Sequence, residues 1–162
     1  MKKATLVLLL VLLALLITAP AADAQSKFRV GGQIGLSVAS AGGGSSAGFQ
    51  IGPMFEALFA KTWAVGTEFN INTQPGTPVE WATYAKYYFG ISGSKVKPFV
   101  DAGVNLWFYT GGPYFGLRFG GGASIPVARN LYVDPDVVLG PVFATGTTVF
   151  YFAFRGGIRY EF

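Results

Sequence analysis

The chain has 162 residues, of which 51% are hydrophobic, 16% aromatic and only 12% charged, with a formal net charge of +4 and a pI near 9.4. It holds no histidine and no cysteine, which excludes disulfides, a lipid-anchored N-terminal cysteine, Ser-His-Asp and Cys-His catalysis, and His-ligated metal centres. The positive charge is mild and dispersed, with no basic run, so nucleic acid is not an expected partner.

Met1 to Ala24 reads as a secretory signal peptide. Lys2 and Lys3 supply a positive start, Ala4 to Ala19 an apolar run, and Ala22-Asp23-Ala24 an A-x-A cleavage site before Gln25. The run is near the lower limit of ~17 residues for a spanning helix, and Pro20 with the small residues behind it ends the run abruptly. Residues 25–162 then form one domain with ten basic and seven acidic residues, a net charge of +3.

Glycine and proline interrupt every apolar stretch of this domain, and no helical i, i+3, i+4, i+7 pattern of useful length survives. Aromatic and β-branched runs divided by Gly/Ser/Thr/Pro clusters predict eight strands, at 27–39, 47–59, 62–72, 79–89, 95–108, 114–127, 130–142 and 149–162. Lys27, Lys61, Lys95 and Arg129 fall 34 residues apart. Each such unit reads as a hairpin, and a constant strand length explains the spacing without gene duplication.

Successive side chains of a strand point to opposite faces, so phase is informative. One face carries Phe28, Val30, Ile34, Leu36, Phe49, Ile51, Phe55, Phe59, Trp63, Val65, Phe69, Ile71, Val79, Trp81, Tyr87 and Phe89. It continues through Val100, Val104, Leu106, Phe108, Phe115, Leu117, Phe119, Ile125, Val133, Val137, Leu139 and Phe143. The other face carries Arg29, Gln33, Gln50, Glu56, Glu68, Asn70, Glu80, Lys86, Lys97, Asp101, Asn105, Arg118, Asp134, Asp136, Arg155, Arg159 and Glu161. All seven acids of the domain lie on this second face, and no charge falls on the apolar one within a strand.

A soluble barrel would turn the apolar wall inward and show a surface rich in Lys and Glu. Here charges are few and Phe, Tyr and Trp abundant, while the strands suit the ~9–11 residues of a tilted membrane strand. The fold class expected is therefore an all-β, eight-stranded antiparallel up-and-down transmembrane β-barrel with a filled polar lumen. Outward aromatics cluster near strand ends, as interfacial girdles do: Phe28, Phe59, Trp63, Phe89, Tyr160 and Phe162 at one rim, and Trp81, Phe108, Phe115 and Phe150 at the other. Pro53 and Pro135 lack an N–H for the ladder, and bulges are expected there.

The C-terminal stretch Arg155-Gly156-Gly157-Ile158-Arg159-Tyr160-Glu161-Phe162 alternates strictly back from Phe162. Arg155, Gly157, Tyr160 and Phe162 fill a polar-x-Gly-x-x-aromatic-x-Phe pattern that resembles the final-strand signal of bacterial outer-membrane β-barrels. The domain as a whole resembles the small OmpA/OmpX-type barrels, in pattern more than in motif and over nearly all of 27–162. That resemblance implies location in the cell outer membrane, with outer-membrane lipid, the barrel-assembly machinery and periplasmic chaperones as partners, and a monomer. It also implies a periplasmic C-terminus, which sets Lys27, Lys61, Lys95 and Arg129 at periplasmic turns. The outside loops then fall near 40–47, 73–78, 109–113 and 144–148, short and without charge. No peptidoglycan-binding domain follows, so a cell-wall tether is not expected.

An eight-stranded barrel is about wide enough for its side chains to fill it. Its acids and bases are expected to pair, since an unpaired charge out of water is costly. Glu68, Asp101, Arg118, Asp134, Asp136, Arg155, Arg159 and Glu161 are the candidates for that network. Asp134 and Asp136 lie on one face about 7 Å apart by strand rise, a spacing that suits a cation or an acid/base couple. With Arg155 and Arg159 on the neighbouring strand, a salt-bridge cluster is the stronger expectation. Strand glycines favour the lumen face, and either make room for long charged chains or leave a void. The Gly42–Gly44 tract reads as a loop tip and Gly120–Gly122 as a mid-strand kink. No catalytic residue, cofactor or metal site is expected. The leading function is a structural or surface-interaction barrel with a largely sealed, ion-paired lumen. The alternatives are a narrow pore or small-solute barrel, and, against the absence of histidine, a lipid-acting enzyme.

Overall fold

The computed structural model describes residues 27–59 and 62–162. The leader expected at 1–24 and Lys61 lie outside these residues. Eight antiparallel strands close on themselves in chain order: β1 Lys27–Ala41, β2 Gly44–Leu58, β3 Trp63–Asn72, β4 Val79–Tyr88, β5 Lys97–Tyr109, β6 Gly112–Ala128, β7 Leu131–Ala144 and β8 Thr147–Glu161. The ring is sealed by β1 against β8, with Arg29 opposite Glu161 and Ser40 opposite Phe150 at the two ends of the seam. Closure leaves no strand edge, so every neighbouring pair of strands shares a ladder. The expected strands all form, within three residues at each end.

The wall is inside out relative to a soluble protein. Every residue assigned above to the apolar face points outward, from Phe28 and Ile34 to Leu139 and Phe143, and Phe49 keeps 60% of its surface exposed. The polar set points inward, and all of it is buried except Lys97, which is half-buried near the end of β5. The outward aromatics Phe28, Phe59, Trp63, Phe89, Tyr160 and Phe162 ring the rim that holds both chain termini of the barrel, called here the inner rim. Trp81, Phe108, Phe115 and Phe150 lie toward the opposite, outer rim. Edge-to-face pairs join Trp63 to Tyr87, Tyr87 to Phe89, and Tyr160 to Phe162, with centroids 4.9, 5.0 and 5.0 Å apart.

Three outer turns are tighter than the sequence suggests, because the strands run on to two-residue connections at Gly42-Gly43, Thr110-Gly111 and Thr145-Gly146. Both Gly42 (φ 56°) and Gly43 (φ 86°) are left-handed, the backbone that a two-residue hairpin needs and that glycine adopts without strain. The fourth connection, 73–78, folds back onto β2. Thr73 donates its N–H to Phe49 O (2.8 Å) and accepts from Phe49 N (2.9 Å), and Gln74 turns its side chain into the barrel to bond Ser37 Oγ (3.2 Å).

The bulges expected at Pro53 and Pro135 do not occur. Registers run unshifted past both prolines, and only the local rungs drop out, at Gly52-Pro53 against β3 and at Ala123-Ser124 against β7. The one register shift lies at Pro126–Ala128, where β6 turns into the inner rim. Nor do Gly120–Gly122 form a kink, since β6 pairs through them with β5. These glycines provide relief: a Cβ on Gly120 would land on the Asp101 carboxylate, and one on Gly122 on the Pro135 carbonyl and Asp136.

Placing a charge on the outer wall distinguishes a lipid-facing wall from a wetted one. Phe119→Arg, in mid-strand, is expected to lose ~2–4 kcal/mol of stability in reversible unfolding from lipid vesicles, and Thr148→Arg at the rim only ~0–1 kcal/mol. Equal costs at both depths would contradict a hydrocarbon-facing wall.

Candidate functional site

The interior is organised around two carboxylates, each clamped by several cations. Glu68 on β3 is fully buried, and its Oε1 accepts from Arg118 Nη1, from Arg155 Nη1 and from Asn70 Nδ2 (2.9 Å). Each arginine also holds an aspartate on an adjacent strand. Arg118 Nε lies 3.1 Å from Asp101 Oδ1, and Arg155 grips Asp136 with Nε to Oδ1 (2.9 Å) and Nη2 to Oδ2 (2.6 Å). A planar guanidinium offers five donors in a fixed fork, so one arginine can serve two acids in different directions, which a lysine cannot match. The chain Asp101–Arg118–Glu68–Arg155–Asp136 thus crosses the lumen from β5 and β6 through β3 to β8 and β7.

The second hub lies nearer the inner rim. Glu56 on β2 meets Arg159 Nη1 (2.9 Å), Lys86 Nζ (3.0 Å) and Arg29 Nη1 (3.7 Å), and accepts from the Tyr88 hydroxyl. Arg159 Nε lies 3.1 Å from Asp134 Oδ2, an ion pair without hydrogen-bond alignment. Arg29 donates to Glu161 Oε2 through Nε (2.9 Å) and Nη2 (2.7 Å), and Lys27 bonds the other oxygen of Glu161 (2.7 Å). Aromatic faces carry the remaining positive charge. The Arg29 guanidinium sits 4.2 Å from the Tyr132 ring centroid, Arg118 4.4 Å from that of Tyr84, and the Lys86 ammonium 4.0 Å from that of Phe99.

Glu68, Asp101, Arg118, Asp136 and Arg155 thus lie around the first hub, and Asp134, Arg159 and Glu161 around the second. Asp134 and Asp136 each face their own arginine, Arg159 and Arg155 respectively. Among the described residues no group of three or more acids is placed to hold a metal. Glu80 stands apart among the acids. It is fully buried yet has no cation within ion-pair distance, and instead accepts from Asn105 Nδ2 (2.8 Å) and Asn70 Nδ2 (3.2 Å).

Two apolar plates bound the charged zone, and these were not identified from the sequence. Toward the outer rim Trp107, Val138, Val142, Tyr151 and Ala153 form a buried cluster, in which the Trp107 and Tyr151 rings meet edge to face at 4.9 Å across the lumen. Toward the inner rim Leu58, Ala64, Tyr88 and Phe99 form another, with Tyr88 and Phe99 edge to face at 5.7 Å. Phase alone locates them. Phe99 and Trp107 share the parity of Asp101, and Tyr84 and Tyr88 that of Lys86. Beyond the outer plate lies an open bowl of about 610 Å³.

An apolar outer wall, an ion-paired interior and a closed ring of eight strands define a small transmembrane β-barrel of the outer-membrane type. The chain matches no protein-family model and no curated protein sequence. Its fold is shared with solved structures at low identity. Neisserial surface protein A has a TM-score of 0.72 at 19% identity, with 83% of this chain and 97% of that one covered. The outer membrane protein OprG from Pseudomonas aeruginosa gives 0.60 at 14% identity, covering 85% and 96%. A de novo designed transmembrane β-barrel gives 0.52 at 14%, covering 82% and 95%.

Removing the central hub strands cations. Glu68→Ala leaves Arg118 and Arg155 facing each other with half their acids gone and is expected to cost ~3–5 kcal/mol. Glu80→Gln strands no cation and is expected to cost ~1 kcal/mol. Denaturant unfolding of the two variants in vesicles measures the difference.

Proposed function

We propose that this protein is an integral outer-membrane barrel with a structural or surface-interaction role, and that it does not serve as a channel. The observation that carries this is the continuity of the fill. From the inner plate through both carboxylate hubs to the outer plate, buried side chains from all eight strands occupy the lumen. An ion entering would have to separate hydrogen-bonded pairs in a space with little water, and each separation leaves a buried charge uncompensated. Some lumen glycines make room for neighbouring side chains: a Cβ at Gly66 would strike the Tyr84 ring, and one at Gly120 the Asp101 carboxylate.

The aromatic rims suit the two membrane–water interfaces, and Arg155, Gly157, Tyr160 and Phe162 suit recognition by the assembly machinery on the final strand. Phe162 and Tyr160 lie outward and exposed, whereas Arg155 and Gly157 face the lumen, so only the aromatic half of that pattern is presented to a partner once the barrel has closed. The outer turns at 42–43, 73–78, 110–111 and 145–146 carry no charge, which suits contacts with neutral surfaces and argues against recognition of charged ones. No histidine is available as a general base, and each acid of the Asp134/Asp136 pair is already held by an arginine. A lipid-acting enzyme is therefore not the reading adopted.

Single-channel recording of the refolded barrel in planar bilayers tests the proposal. The wild type is expected to be silent, and Trp107→Ala with Tyr151→Ala, or Glu68→Ala alone, to show unstable openings. A steady conductance in the wild type would instead assign the protein as a narrow pore.

A further inference from the structure

We infer that the inner rim is a docking surface for anionic phospholipid headgroups, a collar of cations that meets the lipids surrounding the barrel. This rests on the reading of the chain as a membrane-spanning barrel, and adds which lipid that barrel prefers and at which end. The distribution of charge carries it. All seven acids of residues 25–162 are buried in the lumen, together with Arg29, Lys86, Arg118, Arg155 and Arg159. Among the described residues the remaining charges are Lys27, Lys95, Lys97 and Arg129, and all four lie at the inner rim. The outer connections carry none. Positive charge is therefore displayed at one end only.

Three of these cations have no acid to meet. Lys95 and Arg129 are exposed and Lys97 half-buried, and none forms an ion pair among the described residues. Lys27 reaches Glu161 (2.7 Å), but its side chain stays 54% exposed and it shares that carboxylate with Arg29. Local structure fixes where the charges stand. Arg129 and Asn130 alone join β6 to β7, and Asn130 takes the left-handed backbone of a tight turn (φ 62°) while its carbonyl accepts from Glu161 N (2.8 Å). Lys95 stands on a turn closed by Ser94 N to Ile91 O (3.1 Å) and by Val96 N to Ser94 Oγ (3.1 Å). Exposed apolar neighbours set these segments against the membrane: Val127 near Arg129, Ile91 in the turn of Lys95, and Phe28 beside Lys27. Trp63, Tyr87 and Tyr160 on the same rim mark headgroup depth.

The spacing selects lipid over a soluble partner. Lys27 begins β1, Lys95 and Lys97 lie at the β4–β5 junction across the ring from it, and Arg129 lies between β6 and β7. One acidic polymer or protein would have to bridge the mouth of the barrel to touch them all. The lipids around the wall each meet the nearest cation. An anionic headgroup beside one such cation is favoured about fivefold, and the attraction fades within a Debye length of ~8 Å.

The test reads tryptophan quenching of the refolded barrel in phosphatidylcholine vesicles that contain a small fraction of lipid brominated on its acyl chains. Trp63 faces outward at the inner rim, joined through Tyr87 to Phe89 at the foot of the turn that carries Lys95. Trp81 faces outward toward the other rim and is the control. Trp81→Phe and Trp63→Phe isolate the two, with Trp107 buried in the lumen as a constant background. Brominated phosphatidylglycerol is expected to occupy the site beside Trp63 with about fivefold preference over brominated phosphatidylcholine, and to show no preference at Trp81. Lys95→Gln with Lys97→Gln is expected to remove most of the preference at Trp63, and Lys95→Arg with Lys97→Arg to keep it. A preference equal at the two tryptophans, or one that survives the glutamine pair, overturns the inference. Equal quenching of Trp63 by the two lipids also overturns it, and assigns the collar to a soluble acidic partner. A chain quenched by neither lipid at either tryptophan has not entered the bilayer, which defeats the membrane-barrel reading and this inference with it.

Discussion

Hydrocarbon offers nothing to a peptide N–H or C=O, so a sheet that crosses it has to satisfy its own backbone completely. In this chain that constraint is met by pairing β8 with β1, and the rest follows from the closure. A closed ring of eight strands has an interior and an exterior of fixed and unequal size. The exterior meets lipid and carries Phe, Ile, Leu and Val at alternate positions. The interior is too narrow for bulk water, so everything polar that points inward must find its partners among other inward-pointing groups. The ion pairs are the consequence of closure, and they reinforce it: Arg29 and Glu161, opposite each other across the seam, tie the first strand to the last.

The interior network achieves neutrality by topology more than by count. Glu68 and Glu56 are each shared by more than one cation, and the arginines around them each reach a second acid. Deleting either hub carboxylate leaves buried cations short of a partner. Apolar plates close the network at either end. Glu80, held by asparagine amides alone, shows that a carboxyl group can also be lodged here by neutral donors when no cation is in reach.

Much of this was legible in the sequence, and for one reason: strand parity. Arg118, Asp134 and Arg155 had to point the same way as Asn105, Asp136 and Arg159, and away from Phe119, Val137 and Phe154, and they do. What parity does not encode is the stagger of strands around the ring. That stagger alone brings Glu68 to Arg155, and Trp107 to Tyr151, across the lumen. The aromatic side chains of the lumen were not singled out from the sequence. Phe99, Tyr88 and Trp107 belong by phase to the lumen face, where they form apolar plates instead of joining the ion pairs. The bulges expected at Pro53 and Pro135 are absent because losing two rungs on one side is compatible with an unshifted register.

The pairings that fill the lumen join parts of the chain that are far apart in sequence. Glu68 and Arg155 are separated by 87 positions, Glu56 and Arg159 by 103, and Lys27 and Glu161 by 134. Neighbouring hairpins can zip locally, but an open sheet of seven strands holds its charges on one face with their partners still remote. Interactions of such long range are paid for in loop-closure entropy before they return anything, which places them late on the folding route. The lumen therefore acts as a completion check. A barrel lacking its final strand keeps Glu68 without Arg155 and Glu56 without Arg159, and only arrival of the last strand converts a half-charged trough into a closed, ion-paired core.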